Sequence, residues 1–248
     1  MTSPSPEASS QADGVAAVDR ALSIAITLAQ AGTPLSLADI ARLTGMYKST
    51  LLRLLASLER SGLVVQRNDK RYVLGPLAFL FGRTFDASYS LRETIQPVLE
   101  WLVSQGTESP SFHIRHDSQS RICLARVDSG HSTLDRVRTG DILPINRGAP
   151  GKVLTDFAAG PLTVDGSMVR TSFGERDPLC GELAAPVFGP GNALLGAISL
   201  SGPLERFSEL AVDRMTNLLL AASRKATLAL GGTWPEPGRT PAKDVARG

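Results

Sequence analysis

The sequence has little of the chemistry that staples or metallates a small protein: two cysteines, Cys123 and Cys180, and three histidines, His113, His116 and His131, in 248 residues. They form no C-x-x-C pair and no cysteine–histidine pattern with metal spacing, which argues against a disulfide scaffold and a zinc module. No apolar run approaches the roughly 20 residues that cross a bilayer. Met1 to Gly14 also lacks the basic start and apolar stretch of a secretory signal, so the expectation is a cytoplasmic protein with no membrane partner. No internal repeat is visible. What remains is ordinary globular composition, 42% hydrophobic and 20% charged, in a length that allows one large domain or two modest ones.

The small net charge of +2 hides an uneven distribution. Between Val15 and Gly75 there are eight basic residues against four acidic ones, so this segment is positive and the rest of the chain is negative. Both ends, 1–14 and 231–248, are rich in small residues and proline and read as disordered tails. Between them an apolar stripe of Val18, Leu22, Ala25 and Ala29 predicts a helix over about 16–30. Ser36 with Asp39 three residues on resembles a helix-start cap, and that helix runs to about Leu43. Thr44-Gly45-Met46 supplies a short break, and a second helix follows from about Tyr47 to Ser61. Leu63-Val64-Val65 and Tyr72-Val73-Leu74 flank a polar stretch, the pattern of a two-stranded wing. The expected divisions are a winged helix-turn-helix over 15–75, a dimerising linker helix over 76–90 and a second domain over 91–230. That second domain opens with an amphipathic helix, Leu91 to Ser104. Short strands 111–116 and 122–127 follow, and the chain continues through Asp135–Arg138 to a helix opening near Gly151. Strands 182–187 and 194–201 and a last helix over 208–230 complete it, an α+β order.

On a helical wheel the second helix of the helix-turn-helix puts Ser49, Arg53, Ala56 and Arg60 on one face, and Leu51, Leu54, Leu55 and Leu58 on the other. A helix that enters the major groove needs short polar groups near its start for close approach. One turn later it needs a long donor-rich side chain that reaches a base edge. Tyr47, Lys48, Ser49, Thr50 and Arg53 are the candidate reading residues, and Arg67, Lys70 and Arg71 on the wing are placed to neutralise phosphates. Leu52 falls beside the polar face, where it either touches DNA or covers the first helix.

The run Ala41-Arg42-Leu43-Thr44-Gly45-Met46-Tyr47-Lys48-Ser49-Thr50-Leu51-Leu52-Arg53-Leu54-Leu55, with Leu58-Glu59-Arg60-Ser61-Gly62-Leu63 and Arg71-Tyr72-Val73-Leu74-Gly75 after it, resembles the DNA-binding domain of the IclR-type transcriptional regulators. The resemblance continues through Leu143-Pro144, Gly151-Lys152-Val153-Leu154, Ala184-Ala185-Pro186-Val187 and Ala197-Ile198-Ser199-Leu200-Ser201-Gly202. It implies a GAF-like α/β domain that binds a small-molecule effector, and a homodimer or homotetramer on a palindromic operator in double-stranded DNA. It also implies an effector site built from a helix-start loop and two strands, here Arg147, Gly148, Ala149, Glu182, Ser199 and Ser201. Backbone N–H groups at the start of that helix favour an anion such as a carboxylate, so an organic acid is expected. Arg147 stands where a small residue is usual in the family, Leu179 replaces a common glycine, and Asp156 to Ser167 is short. Arg147 and Glu182 either pair with each other or one of them meets a charged effector.

Other signals point nowhere. Gly148-x-x-Gly151-Lys152 lacks the spacer and the Ser or Thr of a phosphate loop. His116-Asp117-Ser118 are consecutive residues whose side chains diverge, so no catalytic residue is assigned. Cys123 lies on a β-prone run and reads as a small buried apolar group. The expectation is therefore a transcriptional regulator, a repressor on family habit, without cofactor, metal or catalytic site. The competing readings are an enzyme with a vestigial helix-turn-helix head and a DNA-binding protein that takes no ligand.

Overall fold

The computed structural model describes residues 15–89, 91–161 and 167–235, so the expected tail over 1–14 and most of that over 231–248 lie outside the described residues. The chain divides into two compact units, 1–89 and 90–248.

In the first unit, helix α1 spans Ala16–Ala31 and α2 spans Leu37–Thr44. The cap read at Ser36 is formed: its hydroxyl accepts from the Asp39 N–H, and Asp39 accepts from the Ser36 N–H, both at 3.2 Å. A carboxylate one methylene shorter than glutamate thus still closes the reciprocal pair. Hydrogen bonds from Ser36 hold the Asp39 carboxyl below its ordinary range. Gly45 ends α2 with φ +68°, a conformation that costs glycine nothing, and so turns the chain into α3, Lys48–Arg60. Strands β1 (Val64–Gln66) and β2 (Tyr72–Leu74) pair antiparallel as the wing, and helix α4 follows over Pro76–Tyr89. Ile24, Leu28, Ile40, Leu51, Leu55, Leu58, Val64 and Tyr72 make one core, which is why α3 buries its leucine face.

The second unit opens with α5, Leu91–Ser104. Its sheet has six strands: β3 (Ser109–Arg115), β4 (Ser120–Arg126), β5 (Ile142–Pro144), β6 (Arg170–Phe173), β7 (Cys180–Phe188) and β8 (Leu194–Pro203). Their spatial order is β5-β4-β3-β8-β7-β6, and every pairing is antiparallel. Helix α6 spans Ala149–Asp156, and α7, Glu209–Ala229, closes the unit. Residues 135–138 join no strand, and the edge strand forms just after them as β5; β6 was not anticipated either. Both are short edge strands of three and four residues, too brief for alternation to show.

The two faces of this sheet differ in kind. Phe112, Leu183, Ala185, Val187, Ile198 and Leu200 pack against Ile95, Leu99 and Leu102 of α5 and Met215, Leu219, Ala222 and Ala226 of α7. On the opposite face Ala184, Ala197 and Phe188 pack against Val153, Leu154 and Phe157 in and after α6. That smaller apolar cluster covers only part of the second face, and the rest is polar.

The wheel in α3 has a direct test. Leu55→Ala, at a fully buried position, costs about 2 to 5 kcal/mol, whereas Leu52→Ala, at a half-exposed one, stays within about 0.5 kcal/mol. Urea unfolding of the full chain followed by far-UV circular dichroism separates the two, and equal losses would mean that Leu52 is a core residue.

Candidate functional site

The first candidate surface is the start of α3. Tyr47 is 85% exposed, Lys48, Ser49 and Arg53 are exposed and Thr50 is half-buried, so all five predicted reading residues lie at or near the surface on the first turns of one helix. Leu52 is exposed beside them and does not join the core. On the wing, the turn is closed by the Lys70 N–H to the Arg67 carbonyl at 3.0 Å and the Arg67 N–H to the Arg71 carbonyl at 2.8 Å. Lys70 sits at its tip with φ +62°. Arg67 lies 3.8 Å from Asp69, while Arg71 donates to the Pro34 carbonyl at 3.3 Å. Both contacts are solvent-exposed and are readily exchanged for phosphate oxygens.

The second candidate site lies on the polar face of the six-stranded sheet. Cα register places Glu182 beside Ser201, Ala184 beside Ser199, Ser199 beside Ser111, and Ser111 beside Arg126. One step along, His113 lies beside Cys123, and Arg115 beside Arg121. Arg121 and Arg126 are five residues apart, and in a regular strand odd spacing sends side chains to opposite faces. The register shift between Phe112 and His113 cancels the mismatch, and both arginines come to the same face. Leu124 and Ala125, adjacent in sequence, correspondingly both pack against the dry core.

Ions dominate the result. Asp135, its side chain fully buried, accepts from Arg176 at 2.8 Å and lies 2.6 Å from Arg126 Nη2, an ion pair without hydrogen-bond geometry. Arg176 also pairs with Glu182, and the second oxygen of Glu182 accepts from the Ala149 N–H at 3.0 Å. Burial works against the Arg176 charge, but Glu182 and Asp135 outweigh it and its pKa is raised. Arg121, 1% exposed, donates through Nη1 to the carbonyls of Pro144 and Arg147. Its Nε and Nη2 are buried without a hydrogen-bond partner. Burial lowers its pKa to about 10, so it keeps its charge at neutral pH. Beside the ions runs a neutral chain in which the Ser111 hydroxyl lies 3.0 Å from both the Ser199 hydroxyl and His113 Nε2. His113 Nδ1 is buried without a partner. Gly148 takes φ +80°, and a β-carbon there would collide with Glu182 Oε2, so glycine lets the helix start settle onto the carboxylate.

Of the predicted effector residues, Gly148, Ala149, Glu182, Ser199 and Ser201 are buried together on this face. Arg147 differs: its side chain is exposed, and only its carbonyl enters the site. The cation paired with Glu182 is Arg176 and not Arg147. The start of α6, expected to offer N–H groups to an effector anion, already gives the Ala149 N–H to Glu182, and Pro150 has none to give. Sequence reasoning missed Arg121, Arg126, Asp135, Arg176, His113 and Ser111. The first two were hidden by the bulge, and Asp135 and Arg176 by their position outside regular strands. Cys123 is buried, and desolvation pushes its thiol up to about 12, so it is no nucleophile. Among the described residues, no cluster of histidine, cysteine and carboxylates is placed to hold a metal, and no helix is long and apolar enough to cross a membrane.

Known proteins resemble the chain over most of its length. The IclR helix-turn-helix domain matches residues 17–68. The transcriptional repressor IclR of Escherichia coli is 24% identical over 249 residues, covering 88% of this chain and 91% of its own length. An IclR-type regulator from Silicibacter superposes with a TM-score of 0.73 at 22% identity, over 88% of this chain and 98% of that one. An IclR homologue from Microbacterium hydrocarbonoxydans, complexed with 4-hydroxybenzoate, superposes with a TM-score of 0.67 at 16% identity, over 87% of this chain and 99% of that one.

His113 gives the polar face a pH dependence. Burial, then the neighbouring Arg121, Arg176 and Arg126, hold its pKa well below 6.5. The unfolded chain therefore takes up this proton first as the pH falls, and stability present above about pH 6.5 is lost below it, at up to about 1.4 kcal/mol per pH unit. Urea unfolding between pH 7.5 and 5 is expected to show this slope, and His113→Gln to remove it. An unchanged slope in the variant would assign the effect to other groups.

Proposed function

Because the chain belongs to the IclR-type transcriptional regulators, a family of DNA-binding proteins and not of enzymes, we propose that it is a sequence-specific repressor controlled by a small carboxylate effector. The observation that carries the effector half of this reading is the buried polar face of the second unit, with the Arg121 guanidinium, whose Nε and Nη2 lack partners. A closed core does not leave such groups unpaired without cost, and a carboxylate is the group that matches a guanidinium. The 4-hydroxybenzoate bound by the Microbacterium homologue is an acid of this kind. The predicted site residues Gly148, Ala149, Glu182, Ser199 and Ser201 surround the same face, with the Arg147 carbonyl at its edge.

The DNA half rests on α3. Ser49 and Thr50 allow close approach, Lys48 and Arg53 reach base edges or phosphates, Tyr47 abuts the backbone, and Arg67, Lys70 and Arg71 hold phosphates from the wing. Residues 15–75 form the DNA-binding domain, 76–90 the linker and 91–230 the effector domain. The exposed Phe79, Leu80 and Phe81 on α4 support pairing of two copies through that helix, and a two-fold pair reads a palindromic operator. The relative in Escherichia coli is a repressor, which favours repression here. An effector that binds best to the conformation unable to hold both half-sites lowers operator affinity, and by linkage operator DNA lowers effector affinity equally.

Two measurements test the reading. A panel of monocarboxylates, including acetate, benzoate and 4-hydroxybenzoate, is expected to raise the melting temperature of the full chain, because a ligand of the folded state stabilises by mass action; a flat response across the panel would remove the carboxylate effector. On an operator selected from randomised duplexes, Arg53→Ala costs about 1 to 3 kcal/mol and relaxes specificity. Lys70→Ala instead lowers the salt slope by about 1 while leaving specificity intact. Equal loss for Arg53→Ala on scrambled DNA would mean that it grips phosphate and does not read bases.

A further inference from the structure

The effector site, on the reading given above, also has a defined charge capacity. Arg121, Arg126 and Arg176 are balanced within the buried face by only two anions, Asp135 and Glu182. Cys123 is protonated and His113 neutral at physiological pH. Asp128 also reaches Arg126, at 2.7 Å, but with its side chain 60% exposed it is screened by water. At the margins of the face, Arg115 is exposed and donates to the Leu154 carbonyl, and Arg170 is paired with Asp156 at 2.5 Å. One positive charge is therefore left over, and the pattern of ion pairs locates it. Arg126 is ion-paired with Asp135, although its Nη2 makes no hydrogen bond there, and Arg176 is bonded to both Asp135 and Glu182; among the described residues Arg121 is in ion-pair contact with no carboxylate, and its Nε and Nη2 have no partner.

We propose that Arg121 is the anchor for the effector carboxylate, and that Asp135 and Glu182 limit the effector to a single negative charge. A second carboxylate on the ligand would enter a face already holding two buried anions, and like charges brought together in a poorly solvated site repel strongly. The remaining polar groups nearby, the hydroxyls of Ser111 and Ser199 and the imidazole of His113, are neutral and suit a hydroxyl or carbonyl elsewhere on the ligand. The class of ligand is thus a small monocarboxylate. Asp135 and Glu182 act as specificity-determining residues that refuse dicarboxylates of the same size.

The experiment is calorimetric titration of the full chain with two matched pairs, benzoate against terephthalate and propionate against succinate. The wild type is expected to prefer the monoanion of at least one pair by about tenfold or more. Arg121→Gln keeps a donor for the Pro144 and Arg147 carbonyls and removes the charge, and is expected to weaken the monoanion by about tenfold or more. Asp135→Asn removes one buried anion and is expected to bring the dianion of that pair to parity or better. If this variant does not fold, Glu182→Gln is read in the same way. Equal wild-type affinity for both members of each pair, or unchanged monoanion binding by Arg121→Gln, overturns this inference while leaving the carboxylate effector standing. A wild type that binds none of the four compounds removes the carboxylate effector itself, and this inference with it.

Discussion

The second unit is organised around a charge cluster that depends on one irregularity in a strand. Without the register shift opposite Phe112 and His113, either Arg121 or Arg126 would point into the core between the sheet and helices α5 and α7. There it would meet only apolar side chains. The bulge rotates the alternation of β4 by one residue, so that both guanidiniums reach the face that carries Glu182 and the serines. Asp135 then acts as a clasp, holding Arg126 on β4 and Arg176 between β6 and β7. Strand β4 and the β6–β7 connection, on either side of the β3–β8 pair, are thereby tied across one face by electrostatics, while the other face is tied by apolar burial.

That division makes physical sense of the asymmetry in the helices. Two long helices, α5 and α7, cover the dry face, and their burial of large aliphatic side chains supplies the non-directional part of the stability. The eight-residue helix α6 covers the other face only in part. Its start is fixed by Glu182, not by a side chain of its own, because Pro150 and Gly151 carry no capping group and Gly148 leaves room for the carboxylate. The helix position is thus coupled to the charge state of the cluster.

The regular parts of this design were legible in the sequence. The three- and four-residue spacing of Val18, Leu22, Ala25 and Ala29, the Ser36 cap, the Gly45 turn and the leucine face of α3 follow from local rules, and the structure holds each. In α1 the same spacing misleads about burial: Val18 and Leu22 are exposed, while Ile24 and Leu28 carry the helix into the core. The strand positions Glu182, Ser199 and Ser201 came from resemblance, and alternation within long strands is enough to bring them to one face. Arg121 and Arg126 were not legible, since their odd spacing argues for opposite faces and nothing local announces a bulge. Asp135 and Arg176 lie in irregular segments where no periodicity exists to be read. Their partners are 41 residues apart in the case of Asp135 and Arg176. Arg147 came from its position in a motif; in the structure its side chain is exposed and its carbonyl accepts from Arg121.

A cluster of five buried ionised groups is not an economical way to hold a sheet together. Desolvating such groups costs several kcal/mol each, and well-packed apolar residues commonly do as well or better. The cost is highest for a guanidinium with unpaired N–H groups, and Arg121 is in that position. On the proposed reading, an anion of the right size relieves this local cost, whereas Arg126 and Arg176, already ion-paired with Asp135, gain less from one. On that reading, relief confined to one residue would make the bound and unbound domains differ in free energy at a defined place: the contact of Arg121 with the carbonyls of Pro144 and Arg147. Because Arg121 holds the carbonyls of Pro144 and Arg147, and Glu182 holds the first N–H of α6, the groups that would feel the ligand are those that set where this helix begins. A regulator needs a difference of this kind between its two states, since a ligand shifts an equilibrium only by its differential affinity.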